Sequence, residues 1–107
     1  MAKRIYLSLP ISHYGLEGCM AYAHKVEEAL SHFFVEVVNP LDNGIEAEAD
    51  LSVHMRKNIA DLLECDAIYM CKNWQLSHGC KLEHDVATSC GLEVKYEENT
   101  WKPNYFE

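Results

Sequence analysis

No stretch of this chain approaches the roughly 18 consecutive apolar residues that a membrane-spanning helix requires. No cleavage pattern separates Met1, Ala2, Lys3 and Arg4 from the apolar segment that follows. The expectation is a cytoplasmic protein with no membrane partner. Positive charge is scarce as well: nine Lys and Arg stand against seventeen Asp and Glu, a formal net charge of -8. A protein that grips a phosphate backbone over many contacts needs the opposite balance, so a polymeric nucleic acid is excluded as the partner. A small anion is still admissible, because helix N-terminal N–H groups hold it whatever the net charge. Cysteine lacks any pairing: Cys19, Cys65, Cys71, Cys80 and Cys90 are odd in number, scattered and mostly within apolar stretches. That excludes the disulfide framework of a small secreted protein and reads as reduced thiols.

What is there is an ordinary globular composition, 49% hydrophobic and 24% charged over 107 residues. A chain of that size makes one domain, 1–107, with a C-terminal tail from 97 to 107. Residues 4–9 (Arg-Ile-Tyr-Leu-Ser-Leu) read as a first strand closed by Pro10. A polar loop with Ser12, His13, Tyr14, Gly15 and Gly18 follows, and Ala23, Val26, Ala29, Leu30 and Phe33 then recur at helical spacing, predicting a helix over about 18–33. Val35, Val37 and Val38 make a second strand, ended by Asn39-Pro40 and the turn chemistry of Asp42-Asn43-Gly44. The acidic stretch from Glu46 to Asp50 suits the start of a second helix carrying Val53, Met55, Ile59, Leu62 and Leu63. Residues 66–71 read as a buried third strand, and 72–77 as a loop around Trp74. Ser77 is suited to N-cap a third helix over about 78–90, with Gly91 at its left-handed C-terminal position. Glu93 to Tyr96 is the fourth strand, and the tail with Trp101, Pro103, Tyr105 and Phe106 shows no periodicity.

Alternation of strand and helix at these lengths calls for a parallel four-stranded sheet covered on both faces, an α/β three-layer sandwich of flavodoxin-like (Rossmann-like) type with strand order 2-1-3-4. Ligands of such sheets bind beyond the carboxyl ends of the strands at the switch point, here between the first and third strands. Two loops converge there: Ser8 to Tyr14, with Pro10, Ile11 and His13, and Cys71 to Gly79, with Trp74 and Ser77. His13, Tyr14 and Trp74 offer rings that stack on a base or cap the core. Ser77 and Gly79 offer a hydroxyl and an unhindered backbone at a helix start, the parts from which phosphate sites are built and equally those of a plain cap. Gly79, Glu83, Val86, Ala87 and Cys90 fall on one helical stripe, which sets the Glu83 carboxylate on or beside the sheet-facing side. A carboxylate there is tuned by burial against nearby donors, as at functional sites, or else pairs with a Lys or Arg. Cys80 and His84 have the i, i+4 spacing of two metal ligands, with His78 and Cys71 nearby, but no Cys-x-x-Cys pair completes a set. No metal and no cofactor is expected, and no cysteine sits in a recognisable nucleophile motif.

Three segments carry a family resemblance: Ile5-Tyr6-Leu7-Ser8-x-Pro10-Ile11, Leu62-x-x-Cys65-Asp66-Ala67-Ile68, and Trp74-x-x-Ser77-x-Gly79-x-x-x-Glu83-x-x-x-Ala87. Together they resemble the nucleoside 2-deoxyribosyltransferase-like superfamily, in particular its small phage and bacterial members, and more distantly the 2'-deoxynucleoside 5'-phosphate N-hydrolases. The resemblance implies a flavodoxin-like fold, dimeric or higher, that cleaves the N-glycosidic bond of a nucleoside or nucleotide. It assigns Glu83 as nucleophile, Tyr6 as the tyrosine beside it, and Ser77 and Gly79 as receivers of a 5'-phosphate. The chain departs from the pattern where an aspartate on the second helix is Asn58, where a glycine after the first strand is Leu9, and where Lys81 replaces another glycine. An amide supplies no carboxylic proton, so Asp61 or His84 is the candidate to assist Glu83 and Tyr6. Asn58 and Leu9 equally suit a nucleotide-binding module without turnover. A third reading is a small interaction domain whose aromatic tail makes a dimer contact.

Overall fold

The structure, a computed structural model, describes residues 3–11, 15–34, 36–46 and 48–97. Strand β1 (Arg4–Ser8) leads to helix α1 (Leu16–Leu30), strand β2 (Glu36–Val38), helix α2 (Leu51–Leu63), strand β3 (Ala67–Met70), helix α3 (His78–Ser89) and strand β4 (Glu93–Tyr96). The four strands form one parallel sheet in the order β2-β1-β3-β4. In its registers Tyr6 lies beside Val38 and Ile68, and Met70 lies beside Ser8 and Tyr96. Each connection crosses through a helix because a parallel neighbour cannot be reached by a tight turn.

Side chains alternate along the two central strands and supply two cores. Tyr6, Ile68 and Met70 pack with Leu62 of α2 and with Cys80 and Ala87 of α3. Leu7 packs on the other face with Cys19 and Ala23 of α1 and with Cys71, just past β3. The helices therefore divide one against two across the sheet, the three-layer sandwich expected. Each fully buried Leu, Ile or Met here contributes about 1.5–3 kcal/mol. Asp66 lies outside β3, and its carboxylate instead accepts the Arg4 backbone N–H at 2.9 Å, tying the start of β3 to β1.

Helix α1 ends at Leu30, short of the predicted end near residue 33, because the chain tightens into a turn in which the Ser31 hydroxyl donates to the Glu28 carbonyl at 2.7 Å. This rotates Phe33 outward to 81% exposure and buries Phe34 instead. Helix α2 begins at Leu51, before the first apolar residue of the predicted pattern, and Val53 is exposed. Both loops read as irregular contain a 3-10 turn, Pro40–Asp42 and Trp74–Leu76; in the first, Asn39 Oδ1 accepts the Leu41 N–H at 2.9 Å. Val35 and the aromatic tail residues Trp101, Pro103, Tyr105 and Phe106 lie outside the described residues. All five cysteines are free thiols, and no helix among the described residues is long and apolar enough to cross a membrane.

Helix α3 carries matched caps. Ser77 Oγ accepts the Cys80 N–H at 3.2 Å, which satisfies an amide that has no partner inside the helix. At the other end the Gly91 N–H reaches the Thr88 carbonyl and the Leu92 N–H reaches the Ala87 carbonyl, with Gly91 at φ 77. That is a Schellman closure, sealed by Leu92 packing on the cluster that contains Ala87. A Cβ at this φ is strained whatever space surrounds it. Gly91→Ala is accordingly expected to lower stability by about 1 kcal/mol, read as a reduced urea midpoint at unchanged slope.

Candidate active site

Glu83 lies in the second turn of α3 and is only 4% exposed. Two residues of β1 reach it because Tyr6 and Ser8, two apart on a strand, share the face on which α3 packs. The Tyr6 hydroxyl donates to Oε2 at 2.8 Å, and the Ser8 hydroxyl donates to Oε1 at 2.7 Å. Among the described residues no lysine or arginine pairs with this carboxylate. Burial pushes its pKa from the ordinary 4.5 up to about 7, and the Ser8 and Tyr6 hydrogen bonds oppose that rise. Burial, reinforced by the adjacent Glu83 charge, pushes the Tyr6 phenol well above its ordinary value, so this hydroxyl remains a donor at neutral pH.

Glu83 forms part of the wall of a cleft of about 690 Å³ at the carboxyl edge of the sheet. Its apolar lining is Leu9, Ile11, Leu16 and Met20 from the β1–α1 region, with Ile45 and Met55 from α2 and the loop before it. Its polar lining is Ser77, His78 and Gly79, which open α3, with Asn43, His54 and Asn58 again from α2 and that loop. Gly79 sits where α3 approaches α2 closely: a Cβ there would stand 3.3 Å from the Met55 sulfur. With the Cys80 N–H taken by Ser77, the His78 and Gly79 amides have no partner among the described residues, leaving donors at the positive end of the helix beside the cleft.

The cleft brings together Glu83, Asn58, Ile11, Ser77 and Gly79 of the residues singled out from sequence, while Tyr6 and Ser8 stand behind Glu83, fully buried. Pro10 is likewise fully buried and shapes the loop without reaching the cleft. Trp74 corrects the expectation of a base-stacking ring: it belongs to the core cluster under α3 and stacks on His84 with centroids 4.5 Å apart. His84 is held there and by Tyr96, whose hydroxyl lies 2.7 Å from its Nε2, so it does not reach the cleft to assist Glu83. Asp61 also points elsewhere, paired with Lys57 at 2.9 Å. His13 and Tyr14 lie outside the described residues. Burial pushes the Cys80 thiol at the cleft wall up to about 11 and raises the Cys71 thiol as well, which suppresses the thiolate a nucleophile needs. Among the described residues no three His, Cys, Asp or Glu side chains gather in a metal-binding group.

Sequence reasoning missed Asn43 and His54. Asn43 reads locally as turn chemistry, and its burial at 8% exposure is a tertiary fact. His54 had a usable signal: it precedes Asn58 by one helical turn, which sets both on one face of α2.

This architecture is shared with a solved structure described as "2-desoxiribosyltransferase from Leishmania mexicana", at a TM-score of 0.68 and 23% identity, covering 88% of this chain. At that identity the likeness establishes the fold, and the chain spans 63% of that protein's length. No curated protein matches the chain. By sequence the chain belongs to the family described as Domain of unknown function (DUF4406), whose model matches residues 3–96.

The raised Glu83 pKa has a consequence for stability. Between about 4.5 and 7 the folded protein holds the Glu83 proton more tightly than the unfolded chain, so this group's contribution falls as pH rises through that window. Relative to Glu83→Gln, the wild-type protein is expected to lose on the order of 3 kcal/mol between pH 4 and pH 8. Urea denaturation of both proteins across that range checks it, and parallel curves would show that Glu83 titrates normally.

Proposed function

We propose that this protein cleaves the N-glycosidic bond of a nucleoside or nucleoside 5'-monophosphate, with Glu83 as nucleophile. The observation that carries the reading is a buried carboxylate, held on both oxygens by hydroxyls and without a cationic partner among the described residues, in the wall of a cleft with room for a nucleoside. A carboxylate placed only to stabilise the fold would be paired with a cation or left in solvent. Membership of the deoxyribosyltransferase fold, through a relative whose name states a glycosyl transfer, supports the same chemistry by analogy.

In this reading a Glu83 oxygen attacks the anomeric carbon, and the bond to the base nitrogen breaks with its electron pair leaving on the base. The product is a glycosyl ester on Glu83. Water or a second base then attacks the same carbon and gives up its proton to solvent, the ester C–O bond breaks, and its electrons restore the carboxylate. Tyr6 and Ser8 orient the carboxylate before attack and receive its charge again when it is released. The unpartnered amides at the start of α3 suit a 5'-phosphate. Asn58 has no transferable proton, so the departing base takes its proton from water or leaves as an anion. That same amide supports a second reading, a module that binds a nucleotide without cutting it.

The test is chromatographic detection of free base from nucleosides, deoxynucleosides and their 5'-monophosphates. Base release is expected from the wild-type protein and is expected to fall to the uncatalysed background in Glu83→Ala. The wild-type kcat/KM should climb about tenfold per pH unit below 7 and level off above it, as the carboxylate form fills. Nucleotide-dependent thermal stabilisation without any release would establish the second reading instead.

A further inference from the structure

Asn43 is buried beside the cleft, in the loop that follows the Pro40–Asp42 turn. Its Oδ1 accepts the Ile45 N–H at 2.9 Å, which settles the orientation of the amide, since an NH2 group cannot accept from a backbone N–H. Nδ2 therefore lies on the opposite side and spends its two hydrogens on two acceptors, Asn58 Oδ1 at 3.1 Å and His54 Nδ1 at 3.1 Å. His54 follows suit: with Nδ1 accepting, its Nε2–H donates to the Glu46 carbonyl at 2.9 Å. Asn58 is fixed in the same way, because its oxygen is the end bound to Asn43. One group in this chain of bonds is left over. The Asn58 NH2 has no partner among the described residues, is not among the buried unpartnered atoms, and belongs to the cleft wall that also holds Glu83.

We infer that Asn43 is a positioning and specificity-determining residue: it holds Asn58 with its amide N–H groups toward the bound base, so the cleft selects bases with a keto oxygen at pyrimidine C4 or purine C6 over those with an amino group at that carbon. The inference rests on the nucleoside reading of the site and narrows it to 4-keto pyrimidines and 6-keto purines. An amino group set against the Asn58 NH2 would leave donors facing donors in a desolvated wall, a mismatch that lowers affinity roughly tenfold to a hundredfold.

The polarity is reversible by a substitution that leaves the cleft surface unchanged in size. Asn43→Asp keeps an oxygen on the Ile45 N–H and puts a second oxygen where Nδ2 stood. Asn58 then turns its NH2 inward to donate to it and shows Oδ1 to the cleft, while His54 carries a proton on both ring nitrogens, Nδ1–H donating to the new carboxylate and Nε2–H keeping the Glu46 carbonyl. Dissociation constants are measured by calorimetry in a Glu83→Gln background, which prevents cleavage, for deoxyuridine against deoxycytidine and deoxyinosine against deoxyadenosine. The keto member is expected to bind about tenfold tighter in each pair, the preference to invert with Asn43→Asp, and to vanish with Asn43→Ala. A keto preference that survives Asn43→Asp, or its absence from the parent, overturns the inference while nucleoside binding itself upholds the functional reading. Failure of all four nucleosides and their 5'-monophosphates to bind removes that reading and the inference with it. Nitrogen NMR of the unsubstituted protein is a check that needs no variant: a neutral His54 ring protonated on Nδ1 would break the order of donors and overturn the inference.

Discussion

A carboxylate with almost no access to solvent, and with no cation paired to it among the described residues, is the constraint around which this structure is arranged. Glu83 is tolerable at that position only because two hydroxyls meet its two oxygens, and charge-assisted hydrogen bonds of that kind contribute about 1.5–3 kcal/mol each. The hydroxyls arrive from one strand at alternate positions, so the register of β1 and the phase of α3 have to agree. A slip of one residue in β1 would present Ile5 and Leu7 to Glu83 and turn Tyr6 and Ser8 into the apolar face packed on α1.

The helix that carries Glu83 is correspondingly well held. Its first turn is capped by Ser77, its last is closed by Gly91, and its side chains Cys80 and Ala87 are small enough to lie on the sheet. Trp74 and His84 stack beneath it, so the ring that might have greeted a ligand instead props the helix that presents the carboxylate. Rigid support of this sort keeps a reactive group in one geometry.

The lining of the cleft combines apolar and polar side chains. Apolar side chains accept the face of a flat ring by the hydrophobic effect without dictating its identity. The polar part of the lining includes a directional network in which an Asx turn at Asn43 propagates through two side chains and sets which atom of Asn58 faces the cleft. The net charge of -8 poses no obstacle to an anionic group at α3, because amides at a helix start act over a few ångströms while distant surface carboxylates are screened.

The strands, the helices and their order in the sheet were legible in the chain itself, as was the sheet-facing position of Glu83, since periodicity, caps and turn residues are local properties and strand–helix alternation restricts the topology. The family resemblance pointed to Tyr6 beside Glu83, and the convergence of loops at the switch point pointed to Ser8; that their hydroxyls meet the two carboxylate oxygens is a tertiary fact. Tertiary packing decided the rest. It turned Phe33 to solvent where helical spacing pointed it inward, took Trp74, His84 and Asp61 away from the site, and buried Asn43 against His54 and Asn58. Sequence spacing says which side chains share a face of one element; which polar atoms meet across three segments depends on how those segments pack, and that information exists only in the folded chain.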